Sequence, residues 1–174
     1  MATTYEAIAT VTVGSGGSSS IEFSSIPQTY TDIQLLMSLR TNIASPQDQV
    51  NMRVNFDLTA GIYAYRRLVG EGASPSTTSG SANNLEMNWA PAANQTANVF
   101  GQHSIYFADY ASSSKYKSMV IQIVNEGNSS QVFGQVLQAG LYSSNTAITS
   151  IQIYCFGSIF VQYSTATLYG IKNS

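Results

Sequence analysis

The feature that most constrains this chain is an apolar–polar alternation of period two that recurs nearly from end to end. Val50–Leu58 shows it most plainly: Val50, Met52, Val54, Phe56 and Leu58 alternate with Asn51, Arg53, Asn55 and Asp57. Successive side chains of a strand point to opposite faces, so the first set is expected inward and the second outward. No window carries a sustained i, i+3, i+4 apolar stripe with helix caps. A chain patterned in this way buries its apolar residues by laying one sheet against another.

Strand candidates follow one another closely. Ile8–Val13 and Ser20–Ile26 read as a hairpin-like opening around Gly14–Ser19, and Pro27 ends the second run because it cannot donate to a ladder. Asp32–Arg40 is more continuously apolar, which places it centrally in a sheet. Ile62–Val69, Leu85–Trp89, His103–Asp109, Tyr116–Val124, Gln131–Leu141, Ile148–Phe156 and Phe160–Ile171 complete the set. Stretches rich in Ser, Asn and Gly separate them, among them Ala111–Ser114, Asn125–Ser130 and Ser143–Thr146. The long polar run Gly70–Asn84 reads as an exposed loop rather than a domain linker, because the strand pattern continues beyond it. Eight to ten strands at this spacing specify an all-β fold, an antiparallel two-sheet sandwich, and the length favours the jelly-roll type. Residues 1–174 read as one such domain, a size that buries roughly 70% of the unfolded surface. The first and last strands are expected to pair or lie close, bringing both chain ends to one edge.

The chemistry available to this scaffold is sparse. Only 9% of residues are charged, against about 25% in an average soluble domain. The cations Arg40, Arg53, Arg66, Arg67, Lys115, Lys117 and Lys172 are scattered, so no nucleic-acid partner is expected. No apolar stretch approaches the ~20 residues that cross a bilayer, and Met1–Glu6 lacks the basic start and apolar core of a signal peptide. A soluble product made in the cytoplasm, without a membrane partner, is expected. Cys155 lies alone in the apolar run Ile151–Phe156 and reads as a buried structural thiol.

Candidate sites fare poorly on the same grounds. A metal site needs convergent His, Cys, Asp or Glu. Here one His, one Cys and the dispersed carboxylates Glu6, Glu22, Asp32, Asp48, Asp57, Glu71, Glu86, Asp109 and Glu126 show no ligand spacing. His103 could meet Asp109 or Asp57 in a triad, but no Gly-x-Ser-x-Gly motif accompanies it, and it reads as a polar or interfacial residue at a strand start. No carboxylate spacing suggests a glycosidase pair. The expectation is therefore a chain with no catalytic, metal or cofactor-binding residue, and no enzyme. Trp89, Tyr63, Tyr65, Tyr106, Tyr110 and Tyr116 could line a sugar groove; tyrosines in sheet faces and subunit contacts are the stronger reading. Arg66 and Arg67 must face opposite ways in a strand, so one is expected on the surface and the other beside a carboxylate or at a strand end. Asn94–Thr96 and Asn128–Ser130 match glycosylation acceptors by chance in a chain rich in Asn, Ser and Thr.

Both ends of the chain carry a family likeness. The opening Ile8–Ile33, the ending Phe160–Lys172 and the internal Asn145–Ile153 resemble small virion structural proteins of tailed bacteriophages, including phages of cyanobacteria. The resemblance weakens over about Ala44–Gln102. It implies a β-sandwich on the outside of a virion, either a capsid decoration (cement) protein or part of a fibre or tail appendage. The cement reading implies a partner, the major capsid protein, and self-association as a homotrimer at a three-fold position of the outer capsid surface. Such attachment gains from avidity, often by about 10²–10⁴ over a single contact. Its capsid contact is expected at Met1–Glu6 and one sandwich edge. The alternative is a tail or fibre receptor-binding module that takes host glycans, supported by the aromatic content and the loop at Gly70–Asn84.

Overall fold

The alternating runs become strands wherever their apolar set finds a facing sheet. A computed structural model describes residues 4–71, 74–125 and 133–172 (of Glu71 and Phe133 only the backbone). Glu126, Asn128–Ser130, the first residues of the Met1–Glu6 segment and the start of the expected strand Gln131–Leu141 lie outside the described residues. The strands are β1 (Tyr5–Thr12), β2 (Ser20–Phe23), β3 (Asp32–Leu39), β4 (Gln47–Val54), β5 (Tyr63–Glu71) and β6 (Ser74–Ala82). They continue as β7 (Leu85–Pro91), β8 (Gly101–Phe107), β9 (Lys117–Asn125), β10 (Phe133–Tyr142), β11 (Ile151–Cys155) and β12 (Thr165–Ile171).

Two antiparallel sheets face each other. The large one has the order β1-β12-β3-β8-β9-β10-β5-β6, the small one β2-β11-β4-β7. Removing the hairpins β5–β6 and β9–β10 leaves two four-stranded sheets, β1-β12-β3-β8 over β2-β11-β4-β7, which is the jelly-roll arrangement. The two hairpins are insertions, and both extend the large sheet beyond β8. They raise the strand number above the eight to ten expected. One buried cluster joins the sheets, including Ile33, Leu35 and Leu39 of β3, Val50, Met52 and Val54 of β4, Ile121 of β9 and Ile153 of β11. The rings of Tyr63 and Tyr142 stack within it at 5.3 Å. Burying each such side chain contributes roughly 1.5–3 kcal/mol.

The end strands pair as the pattern predicts: β1 runs antiparallel to β12, with Tyr5 opposite Ile171 and Thr12 opposite Thr165. β3 lies between β12 and β8, the central place its apolar sequence calls for. Four expectations are corrected. β1 and β2 do not form a hairpin; they join different sheets, because Gly14–Ser19 carries the chain across the sandwich. Gly17 holds a φ of +69 there, and a Cβ on it would lie 2.9 Å from the Phe160 carbonyl, so glycine is required. β4 stops at Val54. Asn55 and Phe56 take positive φ, and the chain turns so that Phe56 and Leu58 are exposed rather than inward. The run Phe160–Ile171 is a strand only from Thr165, since Tyr163 (φ 72) breaks it. Ser74–Ala82, inside the expected loop, is a nine-residue strand paired along its whole length with β5.

Candidate functional site

The outward side chains of the large sheet form a continuous surface, because registers in six successive ladders align them into rows. One row runs Thr167, Leu36, Ser104, Gln122, Leu137, Leu68, Thr77 from β12 to β6. A second runs Tyr169, Gln34, Tyr106, Val120, Ala139, Arg66, Ser79, and a third runs Thr165, Ser38, Gln102, Val124, Gln135, Gly70, Pro75. Arg66 is the one charged residue in all three rows. Leu36, Leu68, Val120, Val124 and Leu137 stand 38–50% exposed among neutral Thr, Ser and Gln side chains. Each half-exposed aliphatic chain leaves roughly 1 kcal/mol of transfer free energy unrealised until something covers it.

The negative charge nearest this surface is spent locally. Tyr106 Oη donates to Asp32 Oδ2 at 2.5 Å, and the Asp109 N–H donates to Asp32 Oδ1 at 2.8 Å. The bond to Asp32, together with burial, pushes the Tyr106 phenol up to about 12. Between β10 and β6 the surface is hollowed. Adjoining hollows of about 490 and 460 Å³ share Arg66, Ser79 and Ala139; Leu68, Leu137 and Thr77 line the first, Ala64, Leu141 and Ser81 the second. This arrangement offers apolar contact and neutral hydrogen-bonding groups, with one cation. It suits a protein surface better than an ionic ligand.

Arg66 and Arg67 divide as the strand period requires. Arg66 is exposed on the outer face. Arg67 turns inward. Its Nε donates to Gln138 Oε1 and its Nη2 to the Glu86 carbonyl, both at 3.0 Å, and it lies 3.7 Å from Glu86 Oε2. Its guanidinium packs over the Tyr65 ring at 4.3 Å, while Tyr65 Oη donates to Glu86 Oε2 at 2.8 Å. Burial pulls the Arg67 pKa below its ordinary value. The cluster fastens edge strand β7 onto the extended part of the large sheet.

The residues considered for chemistry are dispersed. His103 is not polar surface; it points into the core from β8, fully buried, with no hydrogen-bond partner on either ring nitrogen. Burial pushes its pKa down to about 4, and the nearby backbones of Gly101 and Trp89 offset this only in part. Asp57 accepts from Tyr142 Oη at 2.9 Å, and Tyr142 lies opposite Lys117, whereas His103 lies opposite Ile123. Six residues of β9 separate those positions, roughly 20 Å along a strand. Asp109 lies beyond the far end of β8 and pairs with Lys115 at 2.8 Å. Cys155 is buried, and burial followed by the nearby Asp48 pushes its thiol up to about 12. Among the described residues no group of three His, Cys, Asp or Glu could hold a metal ion.

The aromatic set does not share a groove. Tyr63 and Tyr110 are core residues, Tyr63 exchanging hydrogen bonds with the Val54 backbone and Tyr110 donating to the Pro27 carbonyl. Tyr65 faces inward across Gly80, Tyr106 faces outward on β8, Trp89 belongs to the small sheet and Tyr116 is exposed between β8 and β9. Reasoning from sequence missed the outer rows themselves. Alternation names the outward residue of each strand, but only strand order, with β5 and β6 joined to β10, assembles them into a surface.

No family model matches this sequence, and no curated protein matches it. A comparison with solved structures finds a functionally unknown protein from Saccharomyces cerevisiae at 8% identity and a TM-score of 0.26, covering 82% of this chain and 72% of that one. A likeness at that level carries no argument.

Proposed function

We propose that this is a non-enzymatic structural protein of a phage virion, a capsid decoration protein that binds the outer capsid surface and clamps neighbouring capsid subunits. The observation that supports the reading is the outer face of the large sheet: seven strands wide, aliphatic at intervals, and almost without charge. A free and abundant protein is protected from self-association by surface charge, and this face has given that protection up. A surface of that kind is suited to permanent cover by another protein. The family likeness at the chain ends supplies the capsid as that protein.

Attachment through neutral contacts has a salt signature. With Arg66 the one charge in the three rows, screening has little to act on. The test is co-sedimentation of the purified protein with undecorated capsids assembled from the major capsid protein of the same genome. Retention that stays constant between ~50 and ~500 mM salt, where the Debye length shrinks severalfold, supports the reading. Failure to sediment with capsids, or loss of retention over that range, contradicts it. Specific binding on a glycan array without capsid retention would instead favour a receptor-binding module.

A further inference from the structure

β6 is the exception among the strands of the large sheet. Like β1 it is an edge, forming a ladder with β5 alone, but it is an edge left unprotected. Residues Ser74–Ser79 are all exposed, so this strand is uncovered on both faces as well as along its edge. Natural sheets blunt such edges with charges, bulges or prolines. The opposite edge follows that rule: β1 has a bulge between Ala7 and Ala9, and Glu6 pairs with Lys172 beside it at 3.5 Å. β6 carries no charge and no bulge over nine residues, and its proline, Pro75, is confined to the second position. It is also held in register. The Tyr65 ring lies across Gly80, where an added Cβ would come within 2.7 Å of it, and Glu86 anchors that ring through its hydroxyl.

The geometry points to a second copy of this chain as the partner of β6, paired with it edge to edge and antiparallel about a two-fold axis. Self-complementarity carries the choice. The one register that sets all nine residues opposite one another centres on Thr78: Ser74 faces Ala82, Pro75 faces Ser81, Ser76 faces Gly80 and Thr77 faces Ser79, and Pro75, without an N–H, forgoes one donor near each end of the ladder. Each position meets a small, uncharged residue. A charged strand would meet its own charge across such an axis. The axis is perpendicular to the sheet, so two eight-stranded sheets become one, and the hollows beside Arg66 in the two copies open onto a shared outer face. This inference does not rest on the capsid reading. It also differs in symmetry from the homotrimer that the family likeness implies, so mass in solution separates the two.

The test is sedimentation equilibrium of the full chain with two charge variants. The wild type is expected at twice the 18.7 kDa chain mass. Thr78→Lys and Thr78→Glu place like charges directly opposite each other, and each variant alone is expected to be monomeric. Mixing the two pairs Lys with Glu across the axis and is expected to restore the doubled mass. Hydrogen exchange of the wild type gives a second reading without any substitution: β6 amides gain protection as concentration rises, while β1 amides do not. A monomeric wild type at high micromolar concentration overturns the proposal, as does a trimer whose mass neither substitution changes, or variants that remain dimeric alone.

Discussion

The inner and outer faces of the large sheet come from the same strands, residue by alternate residue, yet they settle polarity in opposite ways. The inner face is packed with Leu35, Ile105, Ile121 and their neighbours, and it still admits polar groups, among them Lys117 and Gln138, which the backbone answers. Lys117, fully buried, donates from Nζ to the Lys115 carbonyl at 2.6 Å and to those of Asn145 and Ser144 at 3.4 and 3.5 Å. Gln138 donates to the Glu86 carbonyl at 2.8 Å and accepts from Arg67. The outer face has no such need, since water can solvate any group there, and it has nevertheless excluded charge from three rows except at Arg66. Low charge on the outer face is not set by burial in the monomer; it matches the 9% charged fraction of the whole chain.

The largest expected effect is on the inner side. Ile121→Ala should lower the unfolding free energy by about 2–5 kcal/mol in urea titrations, through lost transfer energy and a cavity that the packed sandwich cannot close. A loss below about 1 kcal/mol would mean the facing sheets pack more loosely than described here.

The buried imidazole comes next. His103 has an ordinary pKa of 6.5 and a folded value of about 4. Between these the unfolded chain takes up a proton that the folded chain refuses, so stability is complete above pH 6.5 and falls as pH drops toward 4. The two and a half pH units correspond to roughly 3 kcal/mol. His103→Leu should flatten that part of the stability profile. Asp57, held below its ordinary value chiefly by the Thr59 backbone N–H, acts in the other window: its contribution is lost only as pH falls below about 4. A wild-type profile that is level between pH 7 and 4 would place His103 in contact with water.

Arg67→Ala should cost about 1–3 kcal/mol, because it removes the donor shared by Gln138 and the Glu86 carbonyl in a partly buried place. Arg66→Ala, one residue earlier on the outer face, should cost under about 0.5 kcal/mol. The smallest effect belongs to the outer rows: Val120→Ala should also change monomer stability by less than about 0.5 kcal/mol. Equal costs at Val120 and Ile121 would erase the distinction between the faces.

How much of this the sequence discloses varies from strand to strand. β9 is legible as a strand but not in its faces: Met119, Ile121 and Ile123 are buried, yet the equally apolar Val120 and Val124 are exposed and the polar Lys117 and Asn125 are buried. β6 is opaque, because Ser, Thr and Gly have no apolar set to display. Its conformation is imposed by pairing with β5 and by the Tyr65 ring over Gly80, both of which depend on partners distant from β6's own pattern. The turn at Asn55 and Phe56 defeats the pattern from the other side, since the alternation runs on past the point where the backbone reverses. His103 looks like a surface residue by type and is buried because strand parity puts it inward beside Ile105. The candidate face is legible only as a quantity, the low charge of the chain. Its location emerges when hairpin β5–β6 docks beside β10, a choice of neighbour that no local pattern encodes.

If another protein covers the outer face of the large sheet, as proposed, a charge placed within its rows disrupts attachment and the same charge elsewhere does not. Leu137→Lys puts a charge in the middle of its rows, and Gln152→Lys puts the same charge on the outside of the small sheet, where Gln152 meets Glu22. Capsid retention of these two variants, each checked for a wild-type unfolding midpoint, is the direct measurement. Leu137→Lys is expected to be lost from the capsid pellet while Gln152→Lys is retained. Retention of Leu137→Lys at wild-type levels, or loss of Gln152→Lys alone, would contradict it.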